Sequence, residues 1–185
     1  MMILSKRDLK EYISEDNSFL RPKDAKSIIV DRFACYPTES IRRFLYYLRK
    51  QEYFINTANG NKIKGILGLY YERRKNKLGR KLGIEIGPNC FGKGLSIWHS
   101  GNIVVNSDAR IGDYCTLHGG NCIGNNGITQ DAPCIGDKVN IGFGAIIIGG
   151  VTIADEIIIG ANAVVNKSFE EIGSVLVGIP AHRIR

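Results

Sequence analysis

From Val105 to Val165 one position recurs every six residues: Val105, Ile111, Leu117, Ile123, Thr129, Ile135, Ile141, Ile147, Ile153, Ile159 and Val165. All but Thr129 are aliphatic. Two residues before these positions stand mostly small side chains, among them Ala109, Cys115, Ala145 and Ala163. Glycine often follows the aliphatic, as in Ile111-Gly112, Ile135-Gly136 and Ile141-Gly142. A period of six is neither the 3.6 of a helix nor the plain alternation of a strand. It suits short strands that bury one large side chain each and bend at a small residue. Such strands wind into a coil whose turns bury their core only against their neighbours. The pattern predicts a parallel β-helix. Helices between ordinary buried strands would need room that residues 105–165 lack. The polar, Gly-rich stretch 124–133 reads as a loop that leaves the coil without shifting its phase.

Residues 1–82 lack the six-residue pattern and read as a helical cap on one end of the coil. Ser5 and Asp8 form a capping-box-like start to a helix running to about Glu15. Pro22 breaks the next segment. Thr38-Glu39-Ser40 opens a second helix, with Ile41, Phe44, Leu45, Leu48 and Tyr53 on one face. Asn59-Gly60-Asn61 marks a turn, and a third helix begins near Ile66. Two domains follow: 1–82 and 83–185. A cap is expected because a bare coil would expose strand edges and core.

Charge sharpens this division. Of the net +7, residues 1–81 hold 19 Lys and Arg against 9 Asp and Glu, whereas the remainder is net negative. The excess is densest in the basic run 73–81, which reads first as a solvated helix face. The sharper reading is an electrostatic platform for an anionic acceptor, a CoA phosphate or an anionic membrane surface. No recognition motif accompanies the charge, so nucleic acid is not expected. The five cysteines form no Cys-x-x-Cys and read as reduced core residues of a cytoplasmic protein. No apolar stretch has the length and continuity of a membrane span, and the N-terminus has no signal-peptide core.

The repeated [Ile/Leu/Val]-Gly-x-x-x-x resembles the hexapeptide-repeat acyltransferases. Three further stretches are similar to the serine acetyltransferase family: Gly83-Ile84-Glu85-Ile86-Gly87-Pro88, Gly94-Leu95-Ser96-Ile97-Trp98-His99 and Val177-Gly178-Ile179-Pro180-Ala181. The resemblance covers about residues 83–185. It implies a left-handed β-helix, acetyl-CoA as co-substrate, no metal, and a homotrimer that binds CoA in a groove between adjacent coils. By position in these motifs, His99 matches the catalytic base and Glu85 the acid that orients it, although the family normally has Asp there. The resemblance also implies that Gly124, Gly142, Gly160 and Ala161 admit the pantetheine close to backbone and that Lys167 meets a CoA phosphate.

Two departures bear on the acceptor. Trp98 stands where serine-specific members carry an Asp, and Gln130-Asp131-Ala132-Pro133 replaces a run whose Arg and His contact substrate. Trp98 and Asp131 are therefore the candidate acceptor residues. Together with Gly124-Asn125-Asn126-Gly127 they resemble the branch of polysaccharide O-acetyltransferases, so a sugar hydroxyl is the expected acceptor. L-serine is the alternative, and a catalytically silent β-helix scaffold is the non-enzyme alternative. His118 and His182 read as surface and structural side chains.

Overall fold

The computed structural model describes residues 2–18 and 24–185. Pro22, expected to break the segment after the first helix, lies outside them. Among the described residues four α-helices precede the strands: α1 (Lys6–Glu15), α2 (Ala25–Phe33), α3 (Pro37–Asn56) and α4 (Lys62–Leu82). The capping box at α1 is present, with the Ser5 hydroxyl accepting from Asp8 N and the Asp8 carboxylate accepting from Ser5 N. Helix α3 buries Ile41, Phe44, Leu45 and Leu48 of the predicted face, whereas Tyr53 is half-buried and packs with the cluster of Ile3, Leu9 and Tyr12. Helix α4 starts at Lys62, earlier than expected, because the Asn61 side chain caps the N–H groups of Ile63 and Lys64. Helix α2 was not foreseen.

The strands form three parallel faces of a prism. The first face stacks β1 (Ile84–Ile86), β3 (Ile103–Val105), β6 (Cys122–Gly124), β9 (Ile146–Ile148) and β12 (Val164–Val165). The second stacks β4 (Arg110–Ile111), β7 (Cys134–Ile135) and β10 (Thr152–Ile153), extended by single bridges at Phe91 and Phe169. The third stacks β2 (Ser96–Ile97), β5 (Thr116–Leu117), β8 (Asn140–Ile141), β11 (Ile158–Ile159) and β13 (Val175–Val177), with β14 (His182–Arg183) antiparallel at its edge. From β1 to β13 consecutive strands fall on different faces, so each pairs with a strand one coil away. The recurring aliphatics fill the interior, from Val105 to Val165, except Thr129 in the exposed loop. Of the repeat cysteines only Cys115 is in the core; Cys122 is half-buried and Cys134 exposed.

The glycine after the aliphatic has a steric cause. Asp113, Asp137 and Asp155 stack along one prism edge. Each carboxylate accepts a backbone N–H from the preceding coil, from Lys93 at 3.0 Å, Asp113 at 2.7 Å and Asp137 at 2.7 Å. A Cβ on Gly92, Gly112 or Gly136 would fall 2.1–2.2 Å from the carboxylate of the next coil.

The cap is joined to the first coil by buried polar groups. Arg49 of α3, fully buried, pairs with Asp16 at 2.7 Å and Glu52 at 3.0 Å, and donates to the carbonyls of Phe91 and Gly92. Burial opposes its charge, but the Asp16 and Glu52 carboxylates outweigh burial and keep the guanidinium protonated. Asn17 extends the third face: its N–H donates to Leu95 O and its side-chain oxygen accepts from Ile97 N. The exposed end of that sheet is thus covered. The basic run lies on α4 and is not uniformly solvated, because Lys75 turns inward and donates to Ile86 O at 2.7 Å.

Candidate functional site

Strand register decides which candidate residues meet. Ile97, Leu117, Ile141 and Ile159 are aligned on successive coils of the third face. The residues one step on, Trp98, His118, Gly142 and Gly160, therefore form a column down one prism edge. The next step, His99, Gly119, Phe143 and Ala161, forms a second column beside it. Five of the candidates, Trp98, His99, Gly142, Gly160 and Ala161, share this edge.

His99 lies in the turn between β2 and β3 and is exposed. Backbone bonds hold the turn on both sides. Gly101 N donates to Leu82 O at the end of α4 at 2.7 Å, and Gly120 N donates to Gly101 O at 3.0 Å. Gly119, at φ +114°, leaves the space that the turn occupies: a Cβ there would sit 3.3 Å from His99 Cβ and 3.2 Å from the Phe143 ring. The imidazole thus projects from a backbone packed on two neighbouring segments. That geometry suits a group that exchanges a proton with a bound molecule.

Trp98, 43% exposed, stacks on His118 with ring centroids 4.9 Å apart and planes 24° from parallel. His118 Nε2 is hydrogen bonded to Asn140 Oδ1 at 2.9 Å. His118 is half-buried, not the free surface side chain expected. The pattern gave its outward direction, one step past Leu117, but its stacking on Trp98 comes from strand register. The two rings form a flat wall next to His99.

Glu85 lies on the first face, aligned with Val104 of β3, and is exposed. Among the described residues no hydrogen bond or ion pair joins it to His99. Gly124, Asp131 and Lys167 gather at another edge, between the first and second faces. Gly149 N donates to Gly124 O at 2.9 Å. Beside it opens a cleft of about 490 Å³, lined by Asn126, Ile148, Gly149, Gly150, Asn166 and Lys167 among others. The Lys167 ammonium lies 5.5 Å from the centre of the Phe169 ring. Asp131 packs on Gly150, where a Cβ would come within 2.8 Å of Asp131 Cβ. Within one chain, the candidate base and the candidate phosphate-binding lysine therefore belong to different edges. Among the described residues no group of three or more His, Cys, Asp or Glu could hold a metal.

A prism of six-residue rungs, with an imidazole and glycine columns along one edge, belongs to the left-handed parallel β-helix class. Comparisons narrow this. The soybean serine acetyltransferase apoenzyme has a TM-score of 0.69 at 22% identity, over 97% of this chain and 70% of that one. The soybean enzyme complexed with serine has a TM-score of 0.71 at 23% identity, over 97% and 70%. These likenesses establish the fold. In sequence the chain is similar to the serine acetyltransferase of Staphylococcus xylosus, 36% identical over 126 residues, which are 62% of this chain and 58% of the relative. The serine acetyltransferase of Helicobacter pylori strain J99 is 37% identical over 105 residues, 55% of this chain and 61% of the relative. The chain thus spans about three fifths of the length of these relatives. No protein-family model matches it.

Proposed function

We propose that the protein transfers acetyl from acetyl-CoA to a hydroxyl, with L-serine as acceptor. The observation that carries this reading is the exposed His99, in a hydrogen-bonded turn beside the Trp98–His118 wall, in a chain similar to serine acetyltransferases. The comparisons revise the sequence-based expectation. The relatives named here are serine acetyltransferases, so they favour the serine alternative over a polysaccharide acceptor.

A hydroxyl is a weak nucleophile near neutral pH and a thioester is an activated acyl donor, so a positioned base is the main requirement. His99 accepts the acceptor hydroxyl proton as the oxygen attacks the thioester carbonyl. A backbone N–H of a neighbouring turn stabilises the oxyanion. The C–S bond then breaks, and the imidazolium returns the proton to the leaving thiolate. In this reading His99 acts without a carboxylate partner from its own chain, because Glu85 lies on the first face and, among the described residues, makes no hydrogen bond or ion pair with it. Acetyl-CoA runs along the edge that carries Gly142, Gly160 and Ala161, where the glycines let successive coils stack closely: a Cβ on Gly142 would fall 2.7 Å from Ala161 N. The Gly124 and Lys167 cleft, with Asp131 at its rim, comes from the neighbouring copy in a homotrimer and takes a CoA phosphate.

A second reading has its own observation. The stacked Trp98 and His118 rings offer an apolar face of the kind that packs on a sugar ring, and no cation stands at 130–133. In that reading the acceptor is a sugar hydroxyl.

One assay separates these outcomes: acetyl-CoA-dependent CoA release with L-serine and, in parallel, with free sugars and capsular oligosaccharides. Turnover with serine that falls by about 100-fold or more in His99→Ala supports the proposal. Turnover with a sugar alone moves the assignment to the second reading. Turnover with neither acceptor, or activity in His99→Ala within a few-fold of the native protein, overturns it.

A further inference from the structure

We infer that the outer face of α4 docks the protein on an anionic membrane surface. Helix α4 packs on α3 with one side and leaves the other to solvent. Along that open side lie Ile63, Ile66, Leu69 and Tyr70, exposed by 70, 66, 66 and 49%. Their spacing of three and four residues places them in one stripe. The same side continues toward the C-terminus as Arg73, Lys77, Arg80 and Lys81, all exposed. Among the described residues, these four cations make no hydrogen bond or ion pair. The only acidic residue of α4, Glu72, is half-buried. The neighbouring surface adds interfacial side chains: Arg74 lies over the rings of Tyr47 and Tyr70, and Lys50 over Tyr46.

A helix with an apolar stripe, tyrosines and a cationic continuation matches the boundary between headgroups and acyl chains. Charge singles out the occupant. A second copy laid parallel on this face would set cations against cations, and one laid antiparallel along the whole helix would set cations on the apolar stripe. Phosphatidylglycerol-type headgroups over an apolar layer satisfy both halves. Among the described residues no helix is long and apolar enough to cross a membrane, so the contact lies on the surface. The basic end of α4 is one hydrogen bond from the His99 turn, through Leu82 O and Gly101 N, so docking brings that edge close to the bilayer.

The test is co-sedimentation of the full chain with vesicles of phosphatidylglycerol and phosphatidylcholine in equal parts, against phosphatidylcholine alone. The native protein should bind the anionic vesicles about tenfold or more tighter, and added salt should weaken that binding. Two variants divide the face: Arg73→Gln with Lys77→Gln, Arg80→Gln and Lys81→Gln, and Ile66→Gln with Leu69→Gln. Each cation contributes roughly fivefold near such a surface, so the first variant should lose binding by about tenfold or more. The second should lose it at every salt concentration. Circular dichroism and melting should match the native protein, because these side chains are exposed. Equal binding to both vesicle types, or variants that bind as the native protein does, overturns the inference. Light scattering that shows Ile66→Gln with Leu69→Gln splitting a native oligomer, without vesicle binding, assigns the face to a second copy and also overturns it. None of these outcomes depends on acetyl transfer.

Discussion

Asp8 shows how much a single residue can carry in this chain. Its carboxylate is held below the usual carboxylate range, first by the Ser5 hydroxyl and then by the Leu4 N–H. A carboxylate whose folded pKa is depressed stabilises the fold above its unfolded value and loses that contribution as pH falls through the folded one. The α1 cap is therefore intact above about pH 4 and is lost in stronger acid. Asp8→Asn should melt at a lower temperature than the native protein at pH 6, and the gap should narrow as pH falls below about 4; a gap that does not narrow in acid would contradict this. Ser5 and Asp8 were readable in sequence because a capping box is local. Lys75 was not readable, because only the fold turns one lysine of a basic run onto the carbonyl of Ile86.

At the scale of the element, the six-residue repeat combines two requirements. One is an aliphatic for the interior; the other is space on the outside for the next coil. The aspartate edge makes the second explicit. In Gly136→Ala the new Cβ would fall 2.1 Å from the Asp155 carboxylate and 2.8 Å from Asp155 N. Asp155 is hydrogen bonded to Asp137 N and cannot yield freely. The substitution should destabilise the protein by about 1–3 kcal/mol, as overpacking does, measured by chemical denaturation. Gly173→Ala is the contrast, since a Cβ there meets nothing within 4 Å, although its φ of +73° adds backbone strain. Helix α2 marks the limit of pattern reading. Its apolar residues Ile28, Ile29 and Val30 are adjacent in sequence instead of spaced by three and four, so no helical stripe separates it from a loop, and all three are exposed in the fold.

For the whole molecule, the join between cap and prism rests on Arg49. Its guanidinium neutralises two buried carboxylates and satisfies two carbonyls of the first coil. Burial pushes the Asp16 and Glu52 carboxyls up even with Arg49 present. Removing Arg49 leaves both without a countercharge. Arg49→Met should cost about 3–5 kcal/mol in denaturation, and loss of less than about 1 kcal/mol would show that the join lies elsewhere. Double replacement, Arg49→Met with Asp16→Asn, should recover part of the loss, because one stranded charge is then gone.

His99 came forward as a candidate base only through its motif resemblance; the sequence by itself determined the prism, the phase of its aliphatics and the helical cap. Each is written in local spacing, and a repeat makes every coil a copy of the same local problem. Tertiary structure decided the rest. Loops of unequal length separate Ile97, Leu117, Ile141 and Ile159 in the chain, and only strand register aligns them. That alignment puts His118 under Trp98, gathers Gly142, Gly160 and Ala161 beside His99, and sends Gly124, Asp131 and Lys167 to another edge. Which side chains share an edge is a property of stacking between coils, and stacking is a contact between residues far apart in sequence.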